Sequence, residues 1–220
     1  MRERSVLIFI GPPGCGKGTQ ALLVCERFSF SAFSTGNAIR KEIESGSDFG
    51  KELQKDSSAG ALVSDEFVTK MVQKVIESSG ANRILFDGFP RNLTQAESLE
   101  KILAPREEAI GVFHFCIEDK LVVDRILGRF ACSRCQKEYN DKTMKPVVEG
   151  VCDRCGNKDF TRRQDDTLET VKSRLKNYKE LTEPVVQFYE TRGVVSEIDA
   201  SLDVEAVFEQ ISAVLQNVVG

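Results

Sequence analysis

Apolar and polar positions along the chain alternate between two periods. Residues 5–10, Ser-Val-Leu-Ile-Phe-Ile, form a short continuous apolar run rich in branched side chains and closed by a glycine-rich turn, so they predict a buried strand. Residues 18–27 carry apolar side chains at helical spacing, which makes the opening a strand, a loop and a helix. Ser34, Thr35 and Gly36 offer N-cap chemistry for a helix through residue 43, and the stretch to 61 is polar, small and glycine-dotted, so 34–63 reads as a small insertion. Ser64 caps a clearer helix: Asp65 and Glu66 suit its positive end, and Phe67, Val68, Met71, Val72 and Val75 form its buried stripe. A strand over 83–86 follows, then a helix to about 103 started by the capping-box form Thr94-Gln95-Ala96-Glu97, a strand over 109–117 and a helix over 120–127. Residues 171–178 and 184–189 are helical by pattern, 194–198 is a last strand and 204–218 a closing amphipathic helix. Strands alternating with helices predict an α/β fold, a parallel sheet with helices on both faces.

One stretch breaks this rhythm. From Gly128 to about Asp166 aliphatic residues give way to cysteine, glycine and charge, and such a segment cannot build its own apolar core. It contains Cys132-x-x-Cys135 and Cys152-x-x-Cys155, separated by sixteen residues, which is four-thiolate zinc spacing. Two disulfides are the alternative reading; they need an oxidising compartment, and the apolar run that opens the chain is cut too short by Gly11-Pro12-Pro13-Gly14 to act as a secretory signal. A zinc held by four thiolates has no open position, so a structural metal is expected. Cys15, Cys25 and Cys116 sit in or beside apolar runs as small hydrophobes. The single histidine, His114, excludes a histidine-dominated metal centre and falls mid-run in a strand, where a packed residue is expected.

Bulk composition narrows the class of partner. The 220 residues carry 41% hydrophobic and 29% charged side chains, ordinary globular values that suit one core with inserted lobes, and a net charge of −4. That balance gives no electrostatic reason to coat nucleic acid or an anionic membrane, and no apolar stretch is long enough to span a bilayer. A cytoplasmic monomer acting on small molecules, without nucleic acid or membrane as partner, is the expectation. Any anion site must be local.

Such a site is written at the end of the first strand. Gly11-Pro12-Pro13-Gly14-Cys15-Gly16-Lys17-Gly18-Thr19 lies between a predicted strand and a predicted helix, the context of a phosphate-binding loop. Glycines let backbone N–H groups turn inward, the helix N-terminus adds positive potential, and Lys17 reaches the outer phosphates. The loop departs from GxxxxGK[ST] in placing Gly18 after the lysine and the hydroxyl on Thr19.

That departure resembles the nucleoside monophosphate kinases, whose loop reads GxPGxGKGT. Four further segments narrow the resemblance to the adenylate kinase family: Ser34-Thr35-Gly36 with Arg40; Asp87-Gly88-Phe89-Pro90-Arg91 with Gln95; Asp124 to Arg129; and Arg163-Gln164-Asp165-Asp166 with Arg174. The tetracysteine segment is similar to the long zinc-bearing lid of many bacterial members. The resemblance implies a P-loop NTPase-type sheet as a single unit over 1–220, with an AMP-binding insertion at 34–63 and a lid at 128–166. It implies Mg²⁺-dependent, reversible transfer between ATP and AMP to give two ADP.

By the same resemblance, Gly14, Cys15, Gly16, Lys17, Gly18, Thr19, Arg125 and Arg129 bind ATP, with Arg125 against the adenine. Thr35, Arg40, Leu62, Val63, Gly88, Arg91 and Gln95 bind AMP, and Arg163 and Arg174 grip the phosphates and the group in flight. Lys17, Arg91, Arg129, Arg163 and Arg174 form the catalytic set. Arginine suits this work because its planar, permanently charged fork pairs with phosphate oxygens in a way that lysine does not. The Gln95 amide carries a donor and an acceptor that match an adenine edge. Asp87 ends an apolar strand where parallel sheets bind ligands, and with Thr19 it suits Mg²⁺ through water. Asp165 and Asp166 could serve as acid–base carboxylates, but a phosphate oxygen is already an anionic nucleophile, and a lid-closing salt-bridge role is expected instead. Asp199-Ala200-Ser201-Leu202 lacks the glycine that the family carries beside the ATP adenine, which leaves GTP as an alternative donor. Residues 129–163 hold nine basic and five acidic residues; four thiolates and Zn²⁺ together add −2, leaving about +2. A nucleotide-gated zinc-ribbon regulator is the reading from another class; the acidic chain and the missing basic-aromatic stripe oppose it.

Overall fold

The computed structural model describes residues 5–47, 50–51, 64–78, 82–104 and 109–219. Five parallel strands form the central sheet: β1 (Ser5–Ile10), β2 (Ser31–Ser34), β3 (Arg83–Asp87), β4 (Ala109–Cys116) and, late in the chain, β8 (Val195–Asp199). Their spatial order is β2-β3-β1-β4-β8, so the chain leaves β1 to one side for β2 and β3 and then crosses to the other for β4. In such a sheet ligands gather outside the carboxyl ends of the strands, where this reversal opens a crevice. The fold class expected from the sequence is the one found.

Both faces are covered, which is why the strands read as unbroken apolar runs rather than alternating ones. On one face Val6, Ile8, Ile10, Ile84, Phe86 and Val112 pack against α3 (Asp65–Ser78), α4 (Leu93–Leu103) and α7 (Glu183–Glu190). On the other, Leu7, Phe9, Leu85, Phe113, Phe115 and Ile198 meet α1 (Lys17–Phe28) and α8 (Val204–Val219). A smaller cluster, Val122 and Ile126 with Val171 and Leu175, joins α5 (Asp119–Leu127) to α6 (Leu168–Asn177). Among the described residues no helix is long and apolar enough to cross a membrane.

Three details differ from the sequence reading. β2 has no apolar run behind it: Ser31 and Ala32 are exposed, and it pairs only with β3 as an edge strand that leads directly into α2 (Thr35–Glu44). α4 is capped by Asn92, whose side chain accepts from the Gln95 N–H, while the Gln95 side chain reaches back one residue further to Arg91 N, so the helix starts before Thr94. The stretch after α6 is a single wide π turn, Tyr178–Thr182, leading straight into α7.

The cysteine-rich segment carries its own antiparallel sheet, β5 (Arg129–Cys132) flanked by β6 (Glu138–Asn140) and β7 (Phe160–Thr161). Phe130 stacks on Tyr139, and Phe160 meets both rings edge-on. This is too little apolar surface for an independent core, and the four cysteines lie against it.

Candidate active site

The loop after β1 is shaped by its glycines. Gly14 (φ 74) and Gly16 (φ 103) are left-handed, and a Cβ on Gly14 would fall 2.5 Å from Ile126 Cγ1, so only glycine lets the loop lie against α5. Gly16 caps α1 without a side-chain bond and no acidic residue occupies the helix's first turn, so its first N–H groups suit an anion. Lys17 Nζ donates to the carbonyls of Gly11 (2.9 Å) and Pro12 (2.8 Å) and holds the ammonium over the loop. Cys15 is buried behind it, and Thr19 lies in the first turn of α1.

Asp87, the last residue of β3, points at this loop: its carboxylate lies 3.8 Å from the position of a Cβ on Gly18. Oxygen donors beside a phosphate loop at a strand's carboxyl end fit a hard divalent cation. Gly88 (φ 78) then turns the chain. Its carbonyl accepts from Thr35 Oγ1 (2.7 Å) and from Arg91 Nε (2.8 Å), and a Cβ there would press on both side chains. Burial lowers the Arg91 pKa, the Asp87 charge resists this, and Arg174 adds to it.

Gln95 is 2% exposed and is held at both ends. Its Oε1 accepts from Arg91 N (2.8 Å), and its Nε2 donates to Asp65 Oδ1 (2.6 Å), which also receives Asn92 Nδ2 at 2.8 Å. The amide therefore has one orientation, set by Arg91 N and by Asp65, which reads in the sequence only as a helix-start carboxylate. Thr182 holds Arg91 as well: from the π turn its hydroxyl donates to the Arg91 carbonyl at 2.8 Å. The Asn92-x-x-Gln95 spacing was available as a signal for the first group; nothing in the sequence marks Thr182.

Above the sheet ends the remaining arginines form one network with carboxylates. Arg129 makes a two-pronged pair with Asp166 (2.6 and 2.9 Å), its side chain 15% and that of Asp166 5% exposed. Arg163 pairs with Glu138, which also lies 4.0 Å from Arg129, and Arg174 pairs with Asp165. Arg162 instead faces away, paired with Asp141 and stacked over Phe130. Arg40, bonded to Asn37 on α2, completes the group: burial, then the positive charges of Arg163 and Arg129, push its pKa down to about 10. Arg174 and Asp165 tie this cluster to Arg91 and Asp87 below it. Leu62 and Val63 lie outside the described residues.

Arg125 is spent on backbone carbonyls: Ala200 at 2.7 Å, Ser201 at 3.1 Å and Leu202 at 3.2 Å. Asp199 folds the same stretch by accepting from the N–H and hydroxyl of Ser201. Arg125 thus joins the turn after β8 to the loop side of the cleft.

The four lid-segment sulfurs come together as two close pairs, Cys132–Cys155 at 3.6 Å and Cys135–Cys152 at 3.5 Å, with all four within 4.8 Å of one another. Zinc–sulfur bonds of about 2.3 Å give a tetrahedron with edges of about 3.8 Å, so the set fits zinc. Left-handed Gln136 and Gly156 close two matching knuckles, each N–H bonded back to the carbonyl of Cys132 or Cys152. Burial opposes ionisation of Cys152, but the Tyr139 hydroxyl and the N–H groups of Arg154 and Cys155 outweigh it and bring its pKa to about 6, while at Cys135 the Lys137 N–H is outweighed by burial and the neighbouring sulfurs, which push its pKa up to about 12. The four sulfurs share their protons when no cation is bound, and a metal requires all of them as thiolates.

A family model for adenylate kinase matches residues 9–194, which take in the loop, the arginine cluster and the four cysteines. The chain belongs to the adenylate kinase family. Relatives named adenylate kinase agree along nearly the whole length. One from Novosphingobium aromaticivorans is 40% identical over 95% of this chain and 98% of its own. One from Allorhizobium ampelinum is 39% identical over the same shares, and one from Rhizorhabdus wittichii is 38% identical over 96% and 99%. As a member of the adenylate kinase family, the chain is a nucleoside monophosphate kinase acting on nucleotides.

Proposed function

We propose that this chain catalyses ATP + AMP = 2 ADP by direct in-line transfer, with 34–63 as the AMP-binding insertion and 128–166 as a zinc-pinned lid. The observation that carries the reading is the run of charged neighbours that links Arg40, Arg129 and Arg163 through Asp165 and Arg174 to Arg91 and Asp87, with Asp87 in turn against Gly18 of the phosphate loop. Moving a phosphoryl group asks little covalent work of the protein; it asks that two phosphate chains be aligned and their charge be balanced. The loop from Gly14 to Thr19, with Arg125 and Arg129, holds ATP. Thr35, Arg40, Leu62, Val63, Gly88, Arg91 and Gln95 hold AMP, and Arg163 and Arg174 span the group in transfer.

Asp87 and Thr19 would hold Mg²⁺ through water, and the ion would supply positive charge against the phosphates. Cys132, Cys135, Cys152 and Cys155 would hold Zn²⁺ as a structural ion with no chemical step. Phosphates entering the cleft compete with Asp165, Asp166 and Glu138 for the same guanidinium groups, so closure is an exchange of partners. The closed lid excludes water, a competing phosphoryl acceptor.

Steady-state assays with ATP against AMP, UMP, CMP and GMP, and with GTP against AMP, test the reading. AMP is expected to be the preferred acceptor and ATP the preferred donor; equal use of the four acceptors would overturn it. Lys17→Ala and Arg91→Ala are each expected to lower kcat by about 10² or more while the melting temperature stays near wild type.

A further inference from the structure

A second group of metal-ligating atoms lies on the central sheet, away from the four cysteines. His114 and Cys116 alternate along β4 and so share one face of the sheet, and Glu197 sits directly across from His114 on the edge strand β8. Their donor atoms all lie within 4.8 Å of one another, with His114 Nδ1 and Cys116 Sγ 3.6 Å apart. A nitrogen at about 2.0 Å and a sulfur at about 2.3 Å from a tetrahedral zinc stand about 3.5 Å apart. Within these separations a point exists no more than about 2.6 Å from all three atoms, about 0.3 Å beyond a zinc–sulfur bond and about 0.6 Å beyond a zinc–nitrogen bond, which side-chain rotation closes.

The surroundings suit ligation as well as the spacing does. The other ring nitrogen, His114 Nε2, lies 3.1 Å from the Tyr178 hydroxyl. With Nε2–H donating to that oxygen, Nδ1 keeps its lone pair toward Cys116 and Glu197; an outer-shell partner of this kind fixes tautomer and ring angle in metal sites. Tyr178 opens the π turn, so the anchor comes from a separate element packed over the sheet. Among the described residues the Glu197 carboxylate takes part in no hydrogen bond or ion pair, and it is exposed, which leaves the site open on the solvent side. One neutral imidazole, one thiolate and one carboxylate balance a divalent charge.

We infer that His114, Cys116 and Glu197 form a second metal site that takes a borderline divalent cation of the zinc type, with a fourth position open to solvent. It would clamp β8 onto β4 one strand away from the phosphate loop, since Ile10 is the register partner of His114. The inference is independent of the kinase reading.

The test uses the full-length protein with its lid cysteines loaded with zinc. Added Co²⁺, which does not displace zinc from four thiolates, is expected to give a thiolate-to-cobalt charge-transfer absorption at one equivalent per chain. The absorption should be absent in Cys116→Ser, and cobalt affinity should fall about ten-fold or more in Glu197→Gln, a surface change that leaves the fold intact. Zinc analysis after dialysis against free metal should give two equivalents for the wild type and one for Cys116→Ser. A wild type that takes up one equivalent and shows no cobalt–thiolate band, or a band that persists in Cys116→Ser, would overturn the site.

Discussion

A single amide illustrates how the candidate site is built. Gln95 donates to Asp65 and accepts from Arg91 N, and the Gln95 side chain itself is buried. Removing the acceptor in Asp65→Ala leaves a buried N–H unpaired, which costs about 1–3 kcal/mol. Chemical denaturation should register that loss. In the proposed reading the KM for AMP should also rise about ten-fold with kcat little changed, because the amide then turns away from the base while the phosphates stay aligned. The residues that touch nucleotide in this reading were legible in the sequence, since they fall in compact strings such as Asp87 to Arg91. The residues that hold them were not. Asp65 reads as a helix-start carboxylate and Glu138 as one charge among many, because partners 30 or 25 positions away become neighbours only through the fold.

At the scale of elements, the side-chain pattern located the helices by their period and the inner strands by their unbroken apolar runs. It failed for β2, whose four residues are tied to the sheet by backbone bonds to β3 and leave half their side chains in solvent. It also failed over β5 to β7, where side-chain pattern is replaced by the four cysteines. In the proposed reading, order in that segment rests on the zinc that the cysteines would hold. Cys135→Ser is expected to lower the apparent melting temperature by roughly 5–10 °C, with turnover at low temperature reduced less. Differential scanning calorimetry with and without a zinc chelator checks this: the chelated wild type should match the variant, and a chelator without effect would show that the aromatic cluster alone suffices.

The whole molecule is mildly acidic, yet its cleft gathers like charges. Arg40 shows the cost, its pKa lowered to about 10 by burial and by Arg163 and Arg129. The folded chain thus holds this proton less tightly than the unfolded one, whose arginine keeps the ordinary 12.5. This group's contribution to stability therefore becomes more favourable as pH rises from about 10 toward 12.5, and at neutral pH it is a standing penalty. An anion in the cleft offsets that penalty and raises the pKa again. AMP binding near pH 10 should accordingly take up a proton, and binding near pH 7.5 should not; calorimetry in buffers of different ionisation enthalpy reads both directly. The π turn at Tyr178–Thr182 adds a constraint of length. Each helical residue advances the chain by about 100° of rotation. Deleting Lys179 would turn everything downstream by that angle, carrying Val185, Val186 and Tyr189 out of the core and the Thr182 hydroxyl away from Arg91. One surplus residue in the coil is thus what lets a single continuous rod carry Arg174 to Asp165 with its first half and seat Val185, Val186 and Tyr189 in the core with its second.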